Sequence, residues 1–339
     1  MNRNGVSPFS QEACDAQCVT EPLVIMRKLE TRSTRTKKYL AEDAGKLMRA
    51  TFRCLFLLIT VGIFTTGCSG GNNGGKTLDI ADIGWTENTA IAHLTKVLLE
   101  EQLGYEEVTV RTSELDLVYG AVANGDLNAF QDVWLPNQRD LLEGVQDDVE
   151  QLGFSYQGQT EQGLAVPSYM DATRLDQLNQ SDTDLILGIE PGSVIMGQVY
   201  DEVMPAYDLE QKLVEGPTQG MLDEVEKRYR SGEEFALVAW SPHWMNQRYD
   251  LRYLEDPEDA FGELNDPARI TTIVNEDLSQ DDPVAYAFMD ALILNEEQIG
   301  DLESAINEAG NPQEGARRWA EDNPEVWQSW VEAAQDAQQ

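Results

Sequence analysis

Three times along this chain a strand-like apolar run stops at a tryptophan and gives way to turn-forming sequence: TLDIADIGW over 77–85, LNAFQDVW over 127–134 and EFALVAW over 234–240. After the first run, Ile91, Leu94, Val97 and Leu98 recur at helical spacing as far as Gly104, and Asn88 or Thr89 can cap that helix. VTVRTS (108–113) then reads as a strand, LDLVYGAVANG as a helix and LNAFQDVW as the next strand. This alternation predicts an α/β architecture, in which ligands bind at the carboxyl ends of the strands.

The order of segments predicts two lobes. GLAVPSYM (163–170) reads as a strand leaving the first lobe, and DLILGIE (184–190) opens a second β-α-β series. That series runs through the VIMGQVYDEVM and MLDEVEKRYRSG helices to EFALVAW, and RITTIVNED (269–277) returns to the first lobe. The expected division is lobe 1 at 77–166 and 274–339, and lobe 2 at 167–273. Two crossings make a hinge, and a clamshell closing on a ligand follows from that topology.

A tryptophan at a strand end is either a core residue or a ligand wall. The face of an indole attracts a quaternary ammonium ion, with up to about 2 kcal/mol for each desolvated contact. Trp85, Trp134 and Trp240 are the candidates for such a cage, whereas Trp319, Trp327 and Trp330 in the C-terminal helical region are assigned to packing.

The motifs GWTENTAIAHL (84–94), DVWLPNQ (132–138), EPGSVIM (190–196) and AWSPHWM (239–245) occur together, each where a strand ends. With these four the chain resembles the glycine betaine-binding proteins of the OpuAC type, from Lys76 to Gln339. The resemblance implies a periplasmic-binding-protein-like fold and an ABC importer that takes up glycine betaine or proline betaine for osmoprotection. It also implies a permease and an ATPase as partners, and no cofactor, metal or catalysis. The three tryptophans would hold the trimethylammonium group, and the backbone N–H groups of Val194 and Ile195 the carboxylate. EPGSVIM read alone is either an ordinary helix start or a carboxylate site at a helix N-terminus. Family members often have Gly where Val194 stands, but a backbone donor survives that change. The family also places a histidine five residues after the second-strand tryptophan, where this chain has Arg139. Arg139 is either a charge-assisted partner of the carboxylate or a solvated cation. His243 is counted with the site as a structural histidine at its mouth, and His93 belongs to the first helix.

Residues 1–47 do not read as a domain, and Cys14 and Cys18 lack metal-ligand spacing. They are expected to be a non-native or disordered extension upstream of a true start at Met48. MRATFRCLFLLITVGIFTTGC then has the layout of a secretory signal over 48–67, with Arg49 and Arg53 ahead of an apolar run too short to span a bilayer. Thr66-Gly67-Cys68 resembles a lipoprotein cleavage box, so Cys68 would be lipidated and 68–76 would be a flexible tether. The alternative is an ordinary cysteine in a leader.

Of the 24 basic and 61 acidic residues, residues 1–75 hold ten and six, leaving 14 and 55 in the body, a net charge of −41. So little basic charge excludes nucleic acid as a partner. The acids are spread along the chain rather than clustered at ligand spacing, which points to a solvated coat and a halophilic source. A monomer is expected. No phosphate-binding glycine loop, HExxH or nucleophile elbow is present. The other classes weighed are a choline or carnitine receptor of the same fold, a sensory lipoprotein, and an exported enzyme working through carboxylates.

Overall fold

The computed structural model describes residues 75–338. The extension, the signal segment, Cys68 and nearly all of the tether lie outside the described residues. In chain order the elements are β1 (Thr77–Asp82), α1 (Thr86–Gln102), β2 (Glu107–Thr112), α2 (Leu115–Ala123), β3 (Ala129–Leu135), α3 (Arg139–Glu143), β4 (Val149–Phe154), β5 (Tyr156–Gln157), β6 (Glu161–Pro167) and β7 (Leu185–Leu187). Then come α4 (Val194–Gln198), β8 (Lys212–Val214), α5 (Thr218–Ser231), β9 (Ala236–Ser241), α6 (Met245–Arg248), β10 (Leu251–Tyr253) and β11 (Arg269–Asn275). The chain ends with α7 (Leu278–Asp281), α8 (Pro283–Ala291), β12 (Leu294–Asn295), α9 (Glu296–Ala309), α10 (Pro312–Asp322) and α11 (Pro324–Asp336). A π turn over Val199–Val203 and a last turn over Met204–Ala206 continue α4.

Two five-stranded mixed sheets organise these elements as the two lobes of a clamshell. The first has the order β2-β1-β3-β11-β4, with β1 parallel to β2 and β3, and β11 antiparallel to its neighbours. The second has the order β10-β6-β9-β7-β8, with β7 parallel to β8 and β9. The central strands β3 and β9 are buried almost throughout, which is why AFQDVWL and ALVAWS read as continuous runs rather than alternating ones. The apolar stripe of α1 packs as its spacing predicts, with Ile91, Leu94, Val97 and Leu98 all buried. Trp319 and Trp330 are buried, and Trp327 donates from Nε1 to the Ala320 carbonyl at 2.8 Å.

The two crossings exist, but the expected lobe boundaries are corrected. β6 pairs with β9 and β10 over its length, so 161–166 belong to the second sheet. β11 pairs with β3 and β4, so 269–273 belong to the first. An apolar strand reads the same whichever sheet it joins, because pairing partners are distant in sequence. The linkers lie side by side: Thr160 Oγ1 donates to the Ala268 carbonyl at 3.1 Å and accepts from the Ala268 N–H at 2.6 Å.

The expected cap of α1 is also corrected. The helix begins at Thr86, and Asn88 and Thr89 lie inside its first turn. Their side chains instead fix the preceding turn: Asn88 Oδ1 accepts from Ile83 N at 2.8 Å, and Thr89 Oγ1 donates to Asp82 Oδ1 at 2.8 Å.

Candidate functional site

Strand register explains why the three strand-end tryptophans meet. Ile80 of β1 pairs with Ala129 of the parallel strand β3, and Trp85 and Trp134 each lie five residues further on. Both rings therefore leave the same edge of the first sheet at the same level. In the second sheet Leu187 of β7 pairs with Leu237 of β9. Three residues further on, the turn after β7 begins at Glu190 and Trp240 stands one residue before the end of β9. The carboxyl-terminal edges of the parallel strands thus face one another across a single cavity. Its walls are Trp85, Trp134, Trp240, Val194 and Ile195, joined by Glu87, Asn137, Gln138, Gln162, Ile189 and Ser193.

Each ring is held by its own surroundings. Gly84 takes a positive φ of 85°, and its N–H donates to Asp82 Oδ1 at 2.8 Å, which turns the chain sharply just before Trp85. Trp134 donates from Nε1 to Asp132 Oδ1 at 2.8 Å. Trp240 stands edge-on to His243 with centroids 4.7 Å apart, and its carbonyl accepts from Asn246 Nδ2 at 2.8 Å.

On the opposite wall, the turn after β7 leads into α4. Glu190 ties this turn to α5 by accepting from Thr218 N and Thr218 Oγ1, both at 2.8 Å. Ser193 is the N-cap but caps no N–H with its side chain. Val194 and Ile195, the first two residues of α4, keep N–H groups that the helix itself cannot satisfy. Four lining residues also carry buried polar atoms that meet no partner at normal hydrogen-bond geometry among the described residues: Glu87 Oε2, Asn137 Oδ1, Ser193 Oγ and Trp240 Nε1, the Trp240 indole nevertheless acting on the Glu87 carboxyl. Buried polar atoms are ordinarily paired, so this cluster of unpaired ones marks where a polar ligand fits.

Three carboxyl groups are buried behind and beside the aromatic rings, and sequence reasoning missed them. Glu87 of α1, Asp132 of β3 and Glu303 of α9 are each at most 1 % exposed. Burial first, then the neighbouring charges of Asp132 and Glu303, pushes Glu87 well above the usual carboxylate range. Burial likewise raises Glu303, although the Trp244 N–H, donated to its Oε2 at 2.6 Å, works against the shift. Asp132 is pushed up to about 8 by burial, opposed by the Trp134 indole. Glu87 falls inside the first motif, two residues after Trp85, but among 61 acidic residues an acid at one position carries no signal.

The structure removes two of the expected ligand residues from the cavity wall. Arg139 is exposed and lines a separate groove, where its Nη1 meets Glu263 Oε2 at 3.3 Å. The residue facing inward is its predecessor Gln138, whose Oε1 accepts from the Tyr119 hydroxyl at 2.6 Å. At the start of α3 one residue along the chain turns the side chain by about 100°, so neighbours cannot share a face. His243 is fully buried behind Trp240 rather than at the mouth. Its Nδ1 accepts from Met245 N and its Nε2 lies 3.0 Å from Thr86 Oγ1, which fixes the Nε2–H tautomer. Burial lowers its pKa to about 3, so the ring is neutral. Among the described residues no group of three or more His, Cys, Asp or Glu side chains is arranged to hold a metal ion.

A two-lobed α/β clamshell with a cavity at the facing strand ends defines the class of substrate-binding proteins. The profile of the family described as the substrate binding domain of ABC-type glycine betaine transport system, OpuAC, matches residues 76–322. The chain belongs to this family. It is 27 % identical over 152 residues to the glycine betaine/carnitine transport binding protein GbuC of Listeria monocytogenes, a match covering 44 % of this chain and 50 % of that protein. The chain thus matches half the length of this curated relative. Lactococcal OpuAC, solved in its closed-liganded conformation with glycine betaine, is similar with a TM-score of 0.67 and 27 % identity. That similarity covers 76 % of this chain and 99 % of that one. An ABC-transporter choline binding protein in an unliganded semi-closed conformation is similar with a TM-score of 0.62 and 27 % identity, covering 74 % and 91 % of the two chains. No helix among the described residues is long and apolar enough to cross a membrane.

Proposed function

We propose that this chain is the extracytoplasmic binding subunit of an ABC importer and captures a quaternary ammonium osmolyte, glycine betaine or proline betaine, between its lobes. The observation that carries this reading is the convergence of Trp85, Trp134 and Trp240 with the N-terminus of α4 on one cavity. The rings take the trimethylammonium group, which forms no N–H hydrogen bonds and is stabilised by the indole faces. The N–H groups of Val194 and Ile195 take the carboxylate. Asn137 and Gln162, one from each side of the cleft and joined at 2.8 Å, close over the ligand. The subunit performs no chemistry: it presents the closed complex to a permease and its ATPase, as a monomer anchored at the membrane through lipid on Cys68.

A second reading is favoured by a specific observation. Choline lacks a carboxylate and leaves the α4 donors unpaired, at about 1–3 kcal/mol per buried donor. The buried Glu87 carboxyl in the cavity wall provides a counter-charge for such a cation.

Titration of intrinsic tryptophan fluorescence with glycine betaine, proline betaine, carnitine and choline, in molar salt, tests both. Saturable responses to the betaines with little to choline support the first reading, and equal binding of choline supports the second. No response to any of them, with calorimetry on folded protein agreeing, overturns both.

A further inference from the structure

Among the described residues the three buried carboxyl groups have no counter-cation. Glu87, Asp132 and Glu303 come from α1, β3 and α9, and their charges act on one another. The other ionisable groups beside them are Asp82 of β1 and Tyr119 of α2, both of which act with Asp132, and His243 after β9, between Trp240 and Trp244; His93 of α1 faces Asp82 and Lys96 instead. Asp82, already bound to Gly84 N and Thr89 Oγ1, adds negative charge near Asp132. Tyr119 donates its hydroxyl proton to Gln138. His243 is neutral, and burial lowers His93 as well. Lys96 is tied to Glu100 at 2.6 Å, and no Lys or Arg among the described residues acts on the three carboxyls.

Among the described residues each of the three has one oxygen that meets no hydrogen-bond partner at normal geometry, Glu87 Oε2, Asp132 Oδ2 and Glu303 Oε1, although the Trp240 indole acts on the Glu87 carboxyl and opposes its upward shift. Only Glu87 also lines the cavity. Three like charges cannot coexist in so dry a space, so most of these groups hold their protons in the empty protein. A cation desolvated between Trp85, Trp134 and Trp240 changes that balance, because it supplies the missing positive charge next to Glu87.

We propose that Glu87, Asp132 and Glu303 form a shared proton store behind the cage, and that a quaternary ammonium ion entering the cage displaces a proton from Glu87. The neutral carboxylic acid gives its proton to solvent, the carboxylate stays as counter-ion to the ammonium group, and no bond to the ligand forms. The proposal rests on the quaternary ammonium reading of the site. It makes capture proton-linked: rising pH favours the bound state, with affinity increasing by up to about tenfold per pH unit until the empty site has lost the same proton. A carboxylate-free cation such as choline has the largest effect, because glycine betaine carries its own negative charge into the cavity.

Calorimetry of wild-type protein with choline and with glycine betaine, at about pH 7 in phosphate and in Tris, measures the linkage, since the two buffers differ in ionisation enthalpy. The expected result is a buffer-dependent heat corresponding to release of up to about one proton per choline bound, and less for glycine betaine. Glu87→Gln, which keeps the shape of the side chain but has no proton to lose, abolishes the buffer dependence and flattens the pH profile of affinity. Binding of choline, or of glycine betaine if choline does not bind, with heats that do not depend on the buffer overturns the proposal while leaving the cage intact. That result stands on wild-type protein alone if Glu87→Gln does not fold. Absence of binding by every quaternary ammonium ligand overturns the underlying reading of the site, and the proposal with it.

Discussion

At the scale of single residues, Trp240 is the most demanding test of the cage, because it is the penultimate residue of the central strand of the second sheet and its indole acts on the Glu87 carboxyl in the same cavity wall. Losing about 1.4–2 kcal/mol of cation–π attraction corresponds to at least about tenfold in affinity. Trp240→Ala is therefore expected to raise the dissociation constant for glycine betaine by tenfold or more in a calorimetric titration. Arg139→Ala is expected to stay within about fivefold of wild type, since its exposed ion pair is worth about 0–1 kcal/mol. Asp132 gives a pH prediction. Its pKa rises from 3.8 to about 8 on folding, so the folded state keeps a proton that the unfolded chain has lost between those values. Its contribution to stability is complete below the lower value and is lost as pH rises through about 8. Asp132→Asn retains an oxygen for Trp134 Nε1 and has no charge to bury. The melting temperature of ligand-free variant relative to wild type should rise between about pH 5 and about pH 8, and a constant difference would refute the shift.

At the scale of elements, the packing of α9 on α10 depends on Gly315. A methyl group there would collide with Ile306 Cα and lie 2.8 Å from the Ala305 carbonyl oxygen, both main-chain atoms that cannot swing away. Gly315→Ala is expected to cost about 1–3 kcal/mol in urea unfolding. Gly197 in α4 is the matched control, with no heavy atom within 4 Å of an added methyl group. Gly197→Ala is expected to leave stability unchanged or raise it by about 0.5–1 kcal/mol, since glycine lowers helix stability through backbone entropy. Equal losses at both positions would mean that close helix contact is not what requires Gly315.

At the scale of the whole molecule, charge dominates. The residues after position 75 carry a net charge of −41, and many of the few cations are already shared among acids. Glu226 accepts from both Arg248 and Tyr249, and Glu224 from Lys227 and Arg228. Repulsion among the remaining carboxylates opposes folding in dilute buffer, whereas molar salt shortens the Debye length to about 3 Å. Thermal melts should therefore show a melting temperature that climbs from dilute buffer to molar salt. Equal stability in both would refute adaptation to high salt.

What the chain determined by itself were the features written in neighbouring residues. Apolar runs of strand length, helical spacing in α1 and turn residues after each strand marked the elements, and a ring at the end of three strands marked the cavity. A parallel sheet brings successive strand ends to one edge, so Trp85 and Trp134 met once the strands were recognised. Tertiary structure alone decided which sheet β6 and β11 join, because an apolar strand carries no label for its partner. It also decided that Gln138 rather than Arg139 faces the cavity, and that His243 braces Trp240 from behind. Above all, it buried Glu87, Asp132 and Glu303, from three distant elements, where their charges act on one another. Burial decides whether a carboxyl is a coat charge or a proton store, and burial depends on the whole fold rather than on sequence neighbours.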